Sequence, residues 1–381
     1  VRFAGLLVLG SQAEVGEMSS NERSMASVYM EWAKLRSAAR FNLATSGIVS
    51  YPLAALPVTM AELEINGPTV YGFEPLQERL ARKCGVAAEC VVAATGTSMA
   101  NHLAMAAVLS PGDEVLVERP TYGLLLETVS YLGAQVLRFD RHAKDGFQID
   151  LDDVKVKVNE RTRLVILTNP HNPTGDLTDE GTLRAIGEAA AKVGAWVLVD
   201  EVYLDMVYDG SVPSSASLGD NFIVTSSLTK AYGLSGLRCG WIIAEPSLAK
   251  RIWRLNDLFG ASPHHTAELL SVIALDHLDQ VRERAKRLLE VNHAALDGFF
   301  ADREDLEGLR PQWGTVSFPK LKRGLVDEFC ELLRGKYETS VVPGRFFGMP
   351  EHFRIGIGGD TRMTAEGLKR LGDALDEYGA R

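Results

Sequence analysis

The sequence predicts an α/β fold, with a mostly parallel central sheet sandwiched by helices in a large domain and a smaller α+β domain after it. Three observations carry that expectation. Between residues 90 and 230, short and nearly continuous apolar runs alternate with helix-length segments, as strands do when crossover helices cover both faces of a sheet. After about Pro263 the texture changes to a long helix-forming stretch through Phe300, and two strand-like runs then frame further helices. Finally, 46% of the 381 residues are hydrophobic and 24% charged, which is enough apolar side chain for a sizeable core and too little charge for a disordered chain.

Taken in order, residues 3–10 (FAGLLVLG) form a short apolar run after one basic residue, with Glu14 and Glu17 soon after. That is a poor match to a secretory leader. Residues 1–20 are expected to be an extension outside the fold, and the chain to be cytoplasmic. From Asn21 to Ala39, Met25, Val28, Tyr29, Trp32 and Leu35 recur at helical spacing behind a Ser20/Asn21 cap. FNLATSGIVSYPLAALP is extended and turn-rich, and Leu76 and Leu80 mark a helix over Glu74–Lys83. CVVAAT (90–95), EVLVE (114–118), QVLRF (135–139), RLVILTN (163–169), WVLVDEV (196–202) and FIVTSS (222–227) read as strands, with helices such as SMANHLAMAAVL and TDEGTLRAIGEAAAKVG between them. TVSFPKL and FRIGIG are the strands of the C-terminal third. The expected divisions are 21–55 as an N-terminal segment joining the small domain, 56–265 as the large domain and 266–381 as the small domain, linked by continuous helix.

Composition removes several classes of function. A net charge of −10 without a Lys/Arg run leaves no basic face for nucleic acid. No apolar run approaches the ~18 residues of a membrane span. Cys84, Cys90, Cys239 and Cys330 form no C-x-x-C pair and have no histidine at ligand spacing, so no metal is expected and a reducing compartment is. His264-His265 reads as a loop or helix start, because adjacent histidines do not easily face one ion. Glu366, Asp373, Asp376 and Glu377 read as the solvated face of a terminal helix.

The chemistry concentrates at strand ends. Lys230 follows the strand-like run ending at Ser227 and lies in a Ser/Thr/Gly-rich turn, SSLTKAYGLSGLRCGW. Burial there would lower its pKa and free the amine as a nucleophile. Ser227 and Arg238, with Gly233, Gly236 and Gly240, supply a hydroxyl, a cation and a tight loop suited to one phosphate group. TNPHNPTG (168–175) ends another strand and presents the Asn172 amide. LVDEVY (198–203) ends a third with Asp200 and Tyr203, and a buried aspartate needs a partner such as a protonated ring nitrogen. ATGTSMAN (94–101) places Gly96, Thr97 and Ser98 at a strand-to-helix junction. That is either an anion site or an ordinary helix cap.

The ordered set NPHNPTG, VDEVY and Ser227-x-x-Lys230-x-Tyr232-Gly233-x-x-Gly236-x-Arg238-x-Gly240 resembles the class I/II aminotransferases, pyridoxal-phosphate (PLP) enzymes of fold type I, from about Asn42 to the C-terminus. The resemblance implies that 56–265 is the PLP-binding domain and that Lys230 holds PLP as a Schiff base and shuttles the substrate proton. It implies that Asp200 pairs with the pyridinium nitrogen, that Tyr203 and Asn172 bond its phenolic oxygen, and that Arg238, Ser227, Gly96, Thr97 and Ser98 form the phosphate site. Tyr122 would stack on the ring. Tyr71, in VYGFEPLQERLA, would reach the phosphate of a neighbouring subunit, which implies a homodimer. Arg354, in HFRIGIG, would grip the substrate α-carboxylate with help from Asn172, and Gly47 would close over the substrate. The implied activity is transfer of an α-amino group from an L-amino acid to a 2-oxo acid. Elimination, replacement or cyclisation on the same scaffold is the alternative. A PLP-sensing transcription regulator would need a basic DNA-binding segment that the sequence lacks. Tyr51, Trp32 and Phe346 are expected near the entrance, where aromatics would admit aromatic or aliphatic side chains.

Overall fold

The computed structural model describes residues 25–68, 70–301, 303–308 and 310–380. The expected extension at 1–20 and the Ser20/Asn21 cap lie outside them. The first helix, α1 (Val28–Leu35), starts later than the periodicity implies, because the Ser27 hydroxyl accepts from Met30 N at 3.1 Å and fixes the start there. Two turns bury a single stripe. Tyr29 is inside and Trp32 half-buried, whereas Met25, Val28 and Leu35 are exposed. Helix α2 (Glu74–Cys84) buries Leu76 and Leu80 as their spacing requires and ends at Gly85 in the left-handed region (φ 66°).

The central sheet follows: β1 (Val91–Thr95), α3 (Gly96–Val108), β2 (Glu114–Arg119), α4 (Gly123–Tyr131), β3 (Gln135–Asp140), α5 (Leu151–Lys157), β4 (Thr162–Thr168), α6 (Glu180–Ala191), β5 (Trp196–Asp200), β6 (Phe222–Ser227) and β7 (Cys239–Ile243). The spatial order is β1-β7-β6-β5-β4-β2-β3. All pairs are parallel except those of β7, which runs against both β1 and β6. Successive strand residues feed two separate cores: Leu164, Ile166 and Leu198 point into one, and Val165, Leu167, Val197 and Val199 into the other, where they meet Leu183 and Ile186 of α6. Both faces are therefore covered, which is why these strands read as unbroken apolar runs instead of alternating ones. Strand β7 was not legible in the sequence. It begins Cys239-Gly240 inside the glycine-rich segment, where no side-chain pattern announces a strand.

Helix α7 (Pro246–Asn256) packs on the α3 side of the sheet. The stretch after Pro263 is two helices, α8 (His265–Asp276) and α9 (Leu278–Ala301), broken at His277 where one continuous helix was expected. His264 and His265 begin α8. In the C-terminal third, Phe353–Gly356 is the middle strand of a three-stranded antiparallel sheet, between Val316–Ser317 and Val342–Pro343. Pro319 splits TVSFPKL, so that Lys320–Leu321 pairs instead with Leu306–Glu307. Helices α10 (Val326–Tyr337) and α11 (Thr361–Gly379) complete the chain. The acidic residues of α11 are more than a solvated face: Glu366 pairs with Arg370, Asp376 with Arg303 and Glu377 with Lys336. Near the other end of the chain, Phe41–Asn42 pairs in parallel with Thr339–Ser340. The segment after it crosses to the ends of the central strands.

Among the described residues no helix is long and apolar enough to cross a membrane, and all four cysteines are free.

Candidate active site

The carboxyl ends of β4, β5 and β6 and the start of α3 converge on one cavity of about 340 Å³, at the sheet edge where open α/β folds collect ligands. The strands deliver their last residues to it. β5 ends in Asp200, β6 in Ser227 and β4 in Thr168, and all three residues line the cavity together with Asn172, Tyr203, Lys230, Arg238, Thr97, Ser98 and Tyr122. Neighbouring strands fix these ends in register, with Thr168 opposite Asp200 and Asp200 opposite Thr225.

Lys230 is enclosed. Burial, aided by the charge of Arg354, pushes its ammonium pKa down to about 8, opposed only by Asp200. Its Nζ lies 3.0 Å from Ser46 Oγ. Asp200 is buried too, and desolvation lifts its carboxyl to about 6 against the hydrogen bonds that favour the anion. Those bonds come from Val202 N, 3.1 Å from Oδ1, and from Asn101 Nδ2, 2.8 Å from Oδ2. Thr225 Oγ1 donates to Asn101 Oδ1 at 2.5 Å and so holds the amide with its N–H toward Asp200. Tyr203 donates to Ser46 Oγ at 2.9 Å, and burial raises its phenol to about 12, so it stays protonated.

At the other end stands an anion cradle. Among the described residues no side chain caps helix α3, and Thr97 and Ser98 of its first turn line the cavity at the positive end of the helix dipole. Thr97 Oγ1 donates to Ser227 Oγ at 2.8 Å. The guanidinium of Arg238 is anchored on Thr95 O at 3.2 Å, and Gly96 N bonds Arg238 O at 2.8 Å. A cation beside a helix N-terminus is unfavourable until an anion lies between them. The glycines permit this approach: a Cβ on Gly96 would strike the Arg238 guanidinium, and one on Gly240 would strike the Gly96 backbone. A set of anion-binding groups at this end, a buried carboxylate suited to a ring cation and a buried amine on the same cavity fit the donor set that PLP requires.

Arg354 is buried just behind the cavity wall. Its Nη1 donates to Asn172 Oδ1 at 2.9 Å, and its Nη2 to Tyr29 OH at 3.1 Å and Ala44 O at 3.0 Å, while its Nε has no partner among the described residues. Gly47 does not line the cavity but packs on Lys230, with room for a Cβ only 3.2 Å from Lys230 Cδ. Tyr71 lies elsewhere on the chain, exposed, with its hydroxyl donating to Asp257 Oδ2 at 2.8 Å. Of the three aromatics expected at the entrance, Trp32 lines the cavity and Phe346 packs against it at 5.3 Å between ring centroids, whereas Tyr51 is buried away from it beneath Arg284. Ser46, Asn101, Thr225 and Tyr29 bear no site signature that was read from the sequence, where Tyr29 belongs only to the apolar stripe of α1. Asn101 carried a usable signal, since it lies four residues after Thr97 and so shares its helical face. Ser46 and Tyr29 carried none, because they reach the site only by long-range packing.

The sequence profile described as Aminotransferase class I and II matches residues 61–371. The chain belongs to this family. It is 29% identical to capreomycidine synthase from Streptomyces vinaceus over 356 residues, covering 89% of this chain and 91% of that protein. Its fold superposes on a PLP-dependent aminotransferase from Streptococcus suis 89-1591 with a TM-score of 0.87 and 26% identity, covering 92% and 97% of the two chains. The PLP-dependent cyclase OrfR superposes with a TM-score of 0.85 and 26% identity over 97% and 100%. The protein is thus a PLP-dependent enzyme of fold type I within the aminotransferase family.

Proposed function

We propose that the protein transfers the α-amino group of an L-amino acid to a 2-oxo acid. The observation that carries this reading is one buried amine, Lys230, in a cavity shared with Asp200 and Asn172, with its charge opposed by Arg354 and favoured by Asp200. In it, Arg238, Ser227, Thr97 and Ser98 would hold the cofactor phosphate, Asp200 would keep its ring nitrogen protonated, Asn172 would donate to its phenolic oxygen while Tyr203 keeps its own hydrogen on Ser46, and Tyr122 would pack beside the ring. Bound PLP supplies the electron sink that makes the substrate Cα–H acidic. Arg354 would fix the α-carboxylate, which orients the Cα–H bond toward Lys230, while Gly47 packs against the lysine stem. Lys230 would take this proton on its Nζ, hold it within the enclosed site and give it back as general acid.

A second reading is cyclisation or replacement on an amino-acid side chain. The near-complete coverage shared with capreomycidine synthase and with the cyclase OrfR supports it. One experiment separates the two. Amino acids are supplied to the purified enzyme without any oxo acid, and product is counted per active site. Transamination stops after about one equivalent of 2-oxo acid, with the cofactor left in its amine form. Cyclisation or replacement runs for many turnovers with the cofactor in its aldehyde form.

The reading extends to a cytoplasmic homodimer, in which Tyr71 reaches the phosphate of the other subunit. The exposed Met60, Ile65, Val70, Leu258 and Phe259 support an apolar contact near it, and four free cysteines support a reducing compartment. Sedimentation at a single-chain mass would refute the dimer.

A further inference from the structure

Ser46 lies on the segment that crosses from the C-terminal sheet to the cavity, immediately before Gly47, and the family resemblance gives it no role. It is 5% exposed. Its Oγ is 3.0 Å from Lys230 Nζ and 2.9 Å from Tyr203 OH. Both partners are held. Thr315 Oγ1 donates to the Ser46 carbonyl at 2.7 Å, Ile48 N to the Lys230 carbonyl at 2.9 Å, and Val49 N to Gly358 O at 2.7 Å. Serine and lysine are therefore tied to each other by backbone as well as side chain, and the hydroxyl cannot drift from the amine.

A hydroxyl oxygen has two lone pairs. Tyr203 remains a phenol at neutral pH and fills one of them as donor. The second is left for an N–H of Lys230. An amine that gives one N–H to a fixed acceptor has its lone pair turned away from that acceptor, toward the open cavity. We infer that Ser46 is the positioning residue for the proton-transferring amine: by accepting from both Lys230 and Tyr203 it aims the Lys230 lone pair at the substrate Cα. In the step it assists, the Cα–H bond breaks, the proton forms an N–H bond on Lys230, and the electron pair of the broken bond passes to the cofactor. The inference rests on Lys230 as the group that moves the Cα proton and is common to transamination and cyclisation. The other charged groups acting on Lys230 are Arg354 and Arg238, which disfavour its ammonium form, and Asp200, which favours it. None of them replaces a neutral acceptor at hydrogen-bond distance.

The test compares Ser46→Ala, Ser46→Cys and Ser46→Thr with the parent. In full-length enzyme stripped of cofactor, Lys230 is acetylated across a pH series and the modified peptide is counted by mass spectrometry. Removing the acceptor withdraws a hydrogen bond from the ammonium form, so the half-reaction pH of Ser46→Ala should fall by about one pH unit. Threonine should restore it. In reconstituted enzyme, Cα–H exchange of a pool of the twenty protein amino acids in D2O should slow ~10–100-fold in Ser46→Ala and recover in Ser46→Thr. If circular dichroism shows Ser46→Ala unfolded, Ser46→Cys, which keeps the volume and is a poor acceptor, carries the same comparison. An unchanged labelling midpoint in the alanine or cysteine variant overturns the inference, as does a threonine variant as impaired as alanine, which would mean packing alone. Retained exchange in Lys230→Ala would instead overturn the reading of Lys230 itself.

Discussion

Replacing Asn101 by alanine tests the site at the point where the fold and the chemistry meet. Asn101 sits in the interior of α3, one turn after Thr97, and its buried Nδ2 donates to Asp200 Oδ2 at 2.8 Å. Alanine is the best helix former, so α3 itself should persist. The variant loses a hydrogen bond to a charged group, worth about 1.5–3 kcal/mol. That corresponds to roughly a 10- to 150-fold loss of cofactor affinity, since ~1.4 kcal/mol is tenfold. The pH dependence has a definite sign. Burial already holds the Asp200 carboxyl at about 6, and a ring cation pairs only with the ionised form, so parent affinity falls as pH drops through that value. Without Asn101 the carboxyl rises further by ~1–2 pH units, and the loss begins near neutrality. The assay is titration of cofactor-free enzyme with PLP from pH 5.5 to 9, followed by quenching of tryptophan fluorescence. An Asn101→Ala variant that binds within twofold of the parent at every pH refutes the account of Asp200.

Three other outcomes follow from the same geometry. Arg354→Ala should raise KM for amino acids by ~100-fold, and Arg354→Lys should recover little of it, because a lysine lacks the planar fork; steady-state kinetics with unchanged KM would remove Arg354 from carboxylate binding. Gly240→Ala drives a Cβ into the Gly96 backbone, so the start of α3 must move, and gel filtration should find the cofactor lost from a protein of lowered Tm. Capture of PLP by the cofactor-free enzyme should reach half its maximal rate near pH 8, because burial and Arg354 favour the neutral amine of Lys230 above that pH. A stopped-flow midpoint near the ~10.4 of an exposed lysine would contradict its enclosure.

The sequence alone determined the parallel sheet and much of the candidate site. Runs such as Val197–Val199 and Val165–Leu167 can be unbroken only when both faces are buried, and that requirement is local and readable. Lys230, Asp200, Asn172 and Ser227 are readable for the same reason, since each stands at or just beyond the end of such a run, where a parallel sheet collects its ligands. Tertiary structure decided what those residues touch. Ser46 reaches Lys230 across 184 positions and Tyr29 reaches Arg354 across 325, and strand β7 exists because Gly240 fits against Gly96. Such contacts depend on which surfaces meet after folding. A periodicity of two or 3.6 residues reports which face of an element is buried and carries no record of its partner.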